Sequence, residues 1–400
     1  MTAVDSTLSD GGSTVASASD LLDLDSEFSE TELALRATVR EFVDRRIRPG
    51  IAAWFEEARF PTELIPEMAA LGLLGMHLSG YGCAGRSAVE YGLAVQELEA
   101  GDSGIRTFVS VQGSLAMSAI ARFGSEQQKT DWLPRMARGE AIGCFGLTEP
   151  TAGSDPSSML TTARLEGGEW VLEGSKRWIG LASIADVAVV WARTDEGVRG
   201  FLVPTGTPGF EARPITGKLS MRASIQCDVT LRDVRLPESA VLPHARGLSA
   251  PFSCLNEARY GIAWGAIGAA RDSFDQALAV AQERTQFGRP VAGFQLTQEK
   301  LVNMALEIQK AQLVALRIGR LKDAGRALPH MISFAKLNNT RIAIDVARTA
   351  RTILGGNGVT LDYSPLRHAS NLESVRTYEG TDEVHTLILG QRITGLSAFR

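Results

Sequence analysis

Three short segments of this chain carry residue types able to do chemistry. The first is Phe145-Gly146-Leu147-Thr148-Glu149-Pro150-Thr151-Ala152-Gly153-Ser154-Asp155, which mixes hydroxyls with flexible backbone. Such a segment can offer hydrogen bonds to a planar cofactor or its phosphates; it can equally be an ordinary connection between domains. The second, Tyr378-Glu379-Gly380-Thr381, puts a carboxylate on a Gly-flanked turn before a helical run. There a carboxylate can approach a substrate and act as base, or merely cap the helix, whose N-terminus favours acids. The third is Arg106 with Glu99 seven residues earlier. On one continuous helix the two share a face after two turns. The guanidinium then either receives a carboxylate bidentately or makes a surface ion pair of little consequence.

The elements around these segments read as α, then β, then α. Ser29-Glu30-Thr31-Glu32 is a capping-box pattern that opens a helix to about Ile47, stopped by Pro49-Gly50. Apolar residues recur at three and four over about 62–75, 87–101, 106–122 and 126–138. From about 160 to 245 the chain alternates in short runs such as Val187-Ala188-Val189-Val190-Trp191, divided by Gly and Pro turns and without βαβ spacing. An antiparallel β domain is expected there. Long helical patterns return over about 252–284, 295–323, 330–353 and 382–397, which suggests a four-helix bundle. Gly261-x-x-x-Gly265, bracketed by Arg259 and Arg271, fits close helix packing in water rather than in a membrane. The expected fold class is α+β: a poorly ordered acidic, Ser-rich tail (1–25), an N-terminal α domain (26–144), a middle β domain (145–248) and a C-terminal helical domain (249–400).

Composition narrows the function. At 400 residues and 44% hydrophobic content, two or three domains with ample cores are expected. The net charge of −5 comes from the first 35 residues, which hold eight acids and no Lys or Arg; the remainder has 41 basic against 38 acidic residues. A near-neutral body has no basic field for nucleic acid. The N-terminus lacks the positive start of a secretory signal and the Arg-rich, acid-poor character of a transit peptide, so a cytoplasmic location is expected. Met68–Gly85 is uncharged but includes five glycines, so no membrane span is expected. Four separated cysteines and five histidines supply no metal or disulfide pattern. His368 and His385, near the Glu379 turn, read as satisfied polar or surface histidines. Nucleotide-binding G-x-G-x-x-G, Walker and G-x-S-x-G patterns are absent from suitable contexts.

The three segments, in the same order, resemble the acyl-CoA dehydrogenases, and within them the glutaryl-CoA branch. The resemblance runs from about residue 28 to Phe399. It is carried by YGCAG (81–85), ELEAGDSGIRTFVSVQ (97–112), FGLTEPTAGSDPSSM (145–159), KLSMRAS (218–224), CLNEARYGIAWG (254–265), QFGRP (286–290), ILGGNG (353–358) and NLESVRTYEGT (371–381). It implies FAD between the middle and C-terminal domains, completed by a neighbouring subunit of a homotetramer. Glu379 would remove the substrate α-proton while a β-hydride passes to the flavin. Cofactor contacts would come from Phe145, Leu147, Thr148, Gly153, Ser154, Trp178, Ile179, Gly180, Thr381 and Glu383. Others would come from Arg284, Gln286 and Phe287 across the subunit interface and from Gly355 and Gly356 near the pyrophosphate or adenosine. Arg106, Glu99, Thr107, Tyr378, Arg259 and Ser154 would bind substrate. The implied reaction is oxidation of glutaryl-CoA and decarboxylation to crotonyl-CoA, with electrons leaving to an electron-transfer flavoprotein. The alternatives are another acyl chain, oxidation without decarboxylation, or a helical scaffold without chemistry. Two positions depart from the pattern: Gly180 stands where the family usually has threonine, and Thr107 where the branch commonly has serine.

Overall fold

The computed structural model describes residues 20–399. Of the expected tail, residues 1–19 lie outside the described residues, but 20–25 are built into the fold. Asp20 accepts from Leu24 N at 2.7 Å, Leu24 is buried, and Asp25 pairs with Arg36.

Local capping sets the first helices. Ser29 accepts from Glu32 N while the Glu32 carboxylate accepts from Ser29 N, and α1 (Glu30–Phe42) follows, continuing as a π turn through Ile47. A second capping box, Ser87 with Glu90, opens α2 (Ala88–Gly101). This helix does not run on to Arg106. Asp102 is extended (φ −166, ψ 143), and its carboxylate caps a new helix, α3 (Ser103–Val109), by accepting from Gly104 N at 2.7 Å. Glu99 and Arg106 therefore lie on two helices joined at a corner, not on one continuous face. The chain passes through a π segment (Ser110–Met117) and the short helix Ser118–Phe123 to α4 (Glu126–Ala137).

The sheet that follows has seven strands: β1 (Gly143–Gly146), β2 (Thr162–Glu166), β3 (Glu169–Gly180), β4 (Val187–Thr194), β5 (Gly197–Pro204), β6 (Phe210–Pro214) and β7 (Gln226–Pro237). They lie in the order β1-β4-β2-β3-β7-β6, with β5 on β4. Most pairs are antiparallel, as expected. β1 instead runs parallel to β4, Gly143 opposite Val187, and β2 meets β4 in parallel at one pair. No tight hairpin joins β1 to its partner, so its direction is free of the antiparallel rule. Covered on both faces, β4 reads as a continuous apolar run.

The C-terminal region holds α5 (Ser249–Glu283), α6 (Gln295–Asp323), α7 (Pro329–Ile353), α8 (Ser364–Thr377) and α9 (Asp382–Thr394), the last ended by Gly395 at φ 76. Four were expected; α8 was not. It buries Arg367, His368 and Asn371, so it lacks an apolar period. The glycines of α5 let it lie on α2. A Cβ at Gly265 would meet Glu99 Oε2 at 2.0 Å, and one at Gly268 would meet the Gln96 carbonyl oxygen at 1.8 Å. Because backbone cannot yield as a side-chain tip can, Gly268→Ala is expected to destabilise by roughly 1–3 kcal/mol, read as a lowered denaturation midpoint. An unchanged midpoint would contradict the packing described.

Candidate active site

A cleft of about 1330 Å³ opens between the sheet and the C-terminal helices. Its sheet side is made by the hydroxyl-rich segment. Glu149 anchors that segment: it is buried, receives Lys176 Nζ at 2.8 Å and accepts from Leu160 N and Thr161 N. Thr148 is held by its carbonyl, which accepts from Arg177 N at 2.9 Å. Phe145, Leu147, Thr148, Gly153 and Ser154 thus face the cleft, rather than forming a plain linker.

A β-bulge completes this wall. The β3–β7 register shifts between Lys176 and Ile179, and Trp178 takes φ 62. The bulge turns the indole outward, 52% exposed at the cleft, with Arg177 over its ring at 5.2 Å. Ile179 and Gly180 line the cleft beside it. At Gly180 a Cβ would reach Val111 of the π segment at 3.2 Å and the Ile225 carbonyl oxygen at 3.9 Å, so only Val111 would crowd it. An exposed aromatic face on the same wall as hydroxyl-bearing backbone fits a planar, phosphate-bearing cofactor.

The opposite wall is the α8–α9 connection. Tyr378, Glu379, Gly380 and Thr381 all line the cleft, and Thr381 caps α9 by accepting from Val384 N. Glu379 sits at φ 55 and Gly380 at φ 102, both left-handed. Arg259, also at the cleft, donates Nε to the Glu379 carbonyl at 2.7 Å. Glu379 Oε2 is buried and has no hydrogen-bond partner among the described residues. Burial, only partly offset by Arg106, Arg259 and Lys336, pushes the Glu379 carboxyl up to about 7. A carboxylate with a free oxygen and that affinity is suited to proton abstraction near neutral pH.

Behind Tyr378 lies Arg106, fully buried. Its Nε donates to Glu99 Oε2 at 2.5 Å and its Nη2 to the Tyr378 hydroxyl at 2.5 Å, while Ser103 Oγ donates to Glu99 Oε1 at 2.9 Å. This is a buried pair and not a surface one. Burial opposes the charge on Arg106, but Glu99 and Tyr378 outweigh it and hold the guanidinium protonated. Arg106 Nη1 has no partner among the described residues. Thr107 faces the cleft, its hydroxyl 3.4 Å from Tyr378 OH.

Other expected site residues fall elsewhere. Arg284, Gln286 and Phe287 belong to a hairpin (Thr285–Gln286 with Arg289–Pro290) outside the cleft, where Phe287 is 95% exposed. Gly355 adjoins that hairpin; a Cβ there would be 3.2 Å from Arg284 Nη1, and Gly356 follows it. Glu383 is exposed on α9 and does not line the cleft. His368 and His385 are both buried, not at the surface: His368 bonds Asp272 at 2.9 Å, and the His385 ring lies against the Gly380 backbone.

Residues without a sequence-based role also build the site. Asn371 on α8 donates to Asp102 at 2.9 Å and accepts from Met221 N at 2.7 Å, and Arg367 pairs with Asp102. The corner that separates Glu99 from Arg106 is thereby tied to the helix that delivers Tyr378 and Glu379. Lys336 on α7 donates to the Gly380 carbonyl at 2.6 Å. A signal existed for Lys336, since it lies on the same helical stripe as Ile332, Ala343 and other buried residues.

Among the described residues no helix is long and apolar enough to cross a membrane. Three family models match in succession: the acyl-CoA dehydrogenase N-terminal domain over residues 29–140, the middle domain over 144–234 and the C-terminal domain over 245–394. A glutaryl-CoA dehydrogenase from Mycobacterium smegmatis, solved in complex with FADH2, is 58% identical with a TM-score of 0.95, covering 96% of this chain and 100% of that one. Butyryl-CoA dehydrogenase from Megasphaera elsdenii is 29% identical with a TM-score of 0.88, covering 92% and 98%. The mitochondrial short-chain specific acyl-CoA dehydrogenase of Bos taurus is 35% identical over 373 residues, 91% of this chain and 90% of the relative.

Proposed function

The chain belongs to the acyl-CoA dehydrogenase family, and from that premise we propose that it oxidises glutaryl-CoA and decarboxylates the product to crotonyl-CoA. The observation that carries the substrate is Arg106. Its buried guanidinium keeps Nη1 unpartnered beside two cleft residues bearing hydroxyls, Thr107 and Tyr378. A substrate's distal carboxylate can be taken from water without large loss only where a cation and donors await it. A monocarboxylic acyl chain would leave that donor unmet.

FAD is the family's cofactor, and the cleft wall suits it. Thr148, Ser154, Trp178 and Thr381 would hold it, and when bound it supplies the acceptor for the substrate's β-hydride. Glu379 removes the α-proton with its free oxygen. Loss of CO2 from the γ-carboxylate then leaves a dienolate stabilised by the conjugated thioester, and the proton Glu379 has taken is available to it. Arg106 must hold the carboxylate during oxidation and then release it as a neutral product. Arg284, Gln286, Phe287, Gly355 and Gly356, outside the cleft of their own chain, would serve the cofactor of a neighbouring subunit in a homotetramer. Glu383, exposed on α9, would add its contact there or at the cofactor's rim. The electrons would leave to an electron-transfer flavoprotein.

The second reading is a short-chain dehydrogenase, favoured by the name of the bovine relative. Purified, flavin-loaded protein should turn over glutaryl-CoA faster than butyryl-CoA and release CO2 in step with crotonyl-CoA. Faster butyryl-CoA turnover rejects the dicarboxylate reading. Glutaconyl-CoA without CO2 keeps the substrate and rejects the decarboxylation.

A further inference from the structure

The turn that presents Glu379 is held by two cations on consecutive carbonyl groups. Arg259 from α5 takes the Glu379 carbonyl, and Lys336 from α7 takes that of Gly380. Left-handed backbone at a glutamate persists only where its surroundings impose it. Lys336 is 1% exposed, and its stretch of α7 is fixed in turn: Asn339 Nδ2 bonds the Ala263 carbonyl of α5 and the Ala311 carbonyl of α6. Beneath the turn lies His385 of α9, whose Nε2 would be 3.0 Å from a Cβ on Gly380.

We propose that Lys336 is a positioning residue that sets both the aim and the basicity of Glu379. The inference rests on reading Glu379 as the base. The ammonium grips the Gly380 carbonyl, which keeps the left-handed turn and so the carboxylate in the cleft. Its charge also favours the ionised carboxylate. The charged and titratable groups facing the pair come from every packed element: Arg106 on α3, Arg259 on α5, Lys336 on α7, Asp382 and His385 on α9, and Tyr378. Burial pushes His385 down to about 3, so it adds no charge near neutral pH. Burial pulls Lys336 down to about 7, opposed by Glu379, while Glu379 is itself pushed up to about 7. Near neutral pH the proton on each group depends on the other.

Two variants of the flavin-loaded enzyme separate aim from charge. Lys336→Gln keeps an N–H donor for the Gly380 carbonyl and removes the charge; Lys336→Arg keeps the charge. In Lys336→Gln the acid limb of kcat/KM should move up by about one pH unit, the effect of losing one nearby opposite charge, with activity recovering at high pH. Lys336→Arg should leave the limb near its wild-type position. An infrared titration of the Glu379 carboxyl band, identified by its loss in Glu379→Gln, should shift in parallel. Lower melting temperature with an unmoved limb and unmoved band in Lys336→Gln would make the residue structural and overturn the proposal. Running each profile with both glutaryl-CoA and butyryl-CoA keeps it apart from the substrate reading, whose failure changes which substrate is used but not the limb. Turnover retained by Glu379→Gln would instead remove the base itself.

Discussion

Glu379→Gln is expected to lower kcat by about 10²–10⁴-fold, the usual contribution of a positioned proton-transfer group, with flavin content and fold retained. The amide keeps the size of the side chain but cannot accept the α-proton. Wild-type kcat/KM should rise with pH through about 7, because the carboxyl is pushed up to about 7 by burial, opposed by Arg106, Arg259 and Lys336. The same shift has a consequence for stability. A carboxyl whose folded-state affinity is raised above the unfolded value of 4.5 binds more protons folded than unfolded between those two values. Stability therefore falls as pH climbs from about 4.5 to 7, and the penalty is complete above that. Glu379→Gln carries no such penalty. Relative to wild type it should be more stable at pH 8 than at pH 5, by on the order of 2 kcal/mol once screening by cleft water is allowed for. Denaturant titrations of both proteins at the two pH values measure this difference. An equal offset at both would show that Glu379 is not held protonated by burial.

Arg106→Gln should reduce the preference for glutaryl-CoA over butyryl-CoA by about 10–100-fold, the loss of one charge-assisted hydrogen-bonded contact to a desolvated carboxylate. The single variant also strands Glu99, which is fully buried and bonded to Arg106 and Ser103. Removing one partner of a buried pair typically costs roughly 3–5 kcal/mol, so this protein should also melt earlier. The double variant Glu99→Gln with Arg106→Gln removes both charges while keeping polar partners. It should recover much of the stability and none of the preference. Initial rates with the two substrates and a melting curve for each variant decide the matter. A double variant that still prefers glutaryl-CoA would exclude Arg106 as the carboxylate's receptor.

How much of this site was legible in the chain depends on how far apart the interacting residues lie. Both readings of Glu379 had local signals, since Gly380 and the Thr381 cap are its neighbours. The Arg106–Glu99 pairing was also within reach of spacing. Its geometry was not, because Asp102 breaks the helix and caps the next one from the extended region. A capping aspartate is visible in sequence only when a terminus is already suspected. Burial decided the rest: the same two residues on a surface would be worth little, and enclosed they hold a charged guanidinium with Nη1 unpartnered among the described residues. Trp178 shows the same limit. Its type was readable, but its outward turn needs a bulge set by the register of β3 on β7.

By itself the sequence determined the α, β, α order, the capped helix start at Ser29 and a second helix from about residue 87, the close face of α5 at Gly261 and Gly265, and the residue types of the proposed base and of the cation. These follow from capping, periodicity and absent side chains, interactions that span a few positions along the chain. Only the tertiary structure decided that Arg106 meets Tyr378 across 272 positions, that Lys336 reaches Gly380 across 44, and that α8 exists as a helix of buried polar residues. Those contacts depend on which surfaces of distant elements are desolvated together. Desolvation also pushes the Glu379 carboxyl up to about 7 and leaves Arg106 Nη1 without a partner among the described residues.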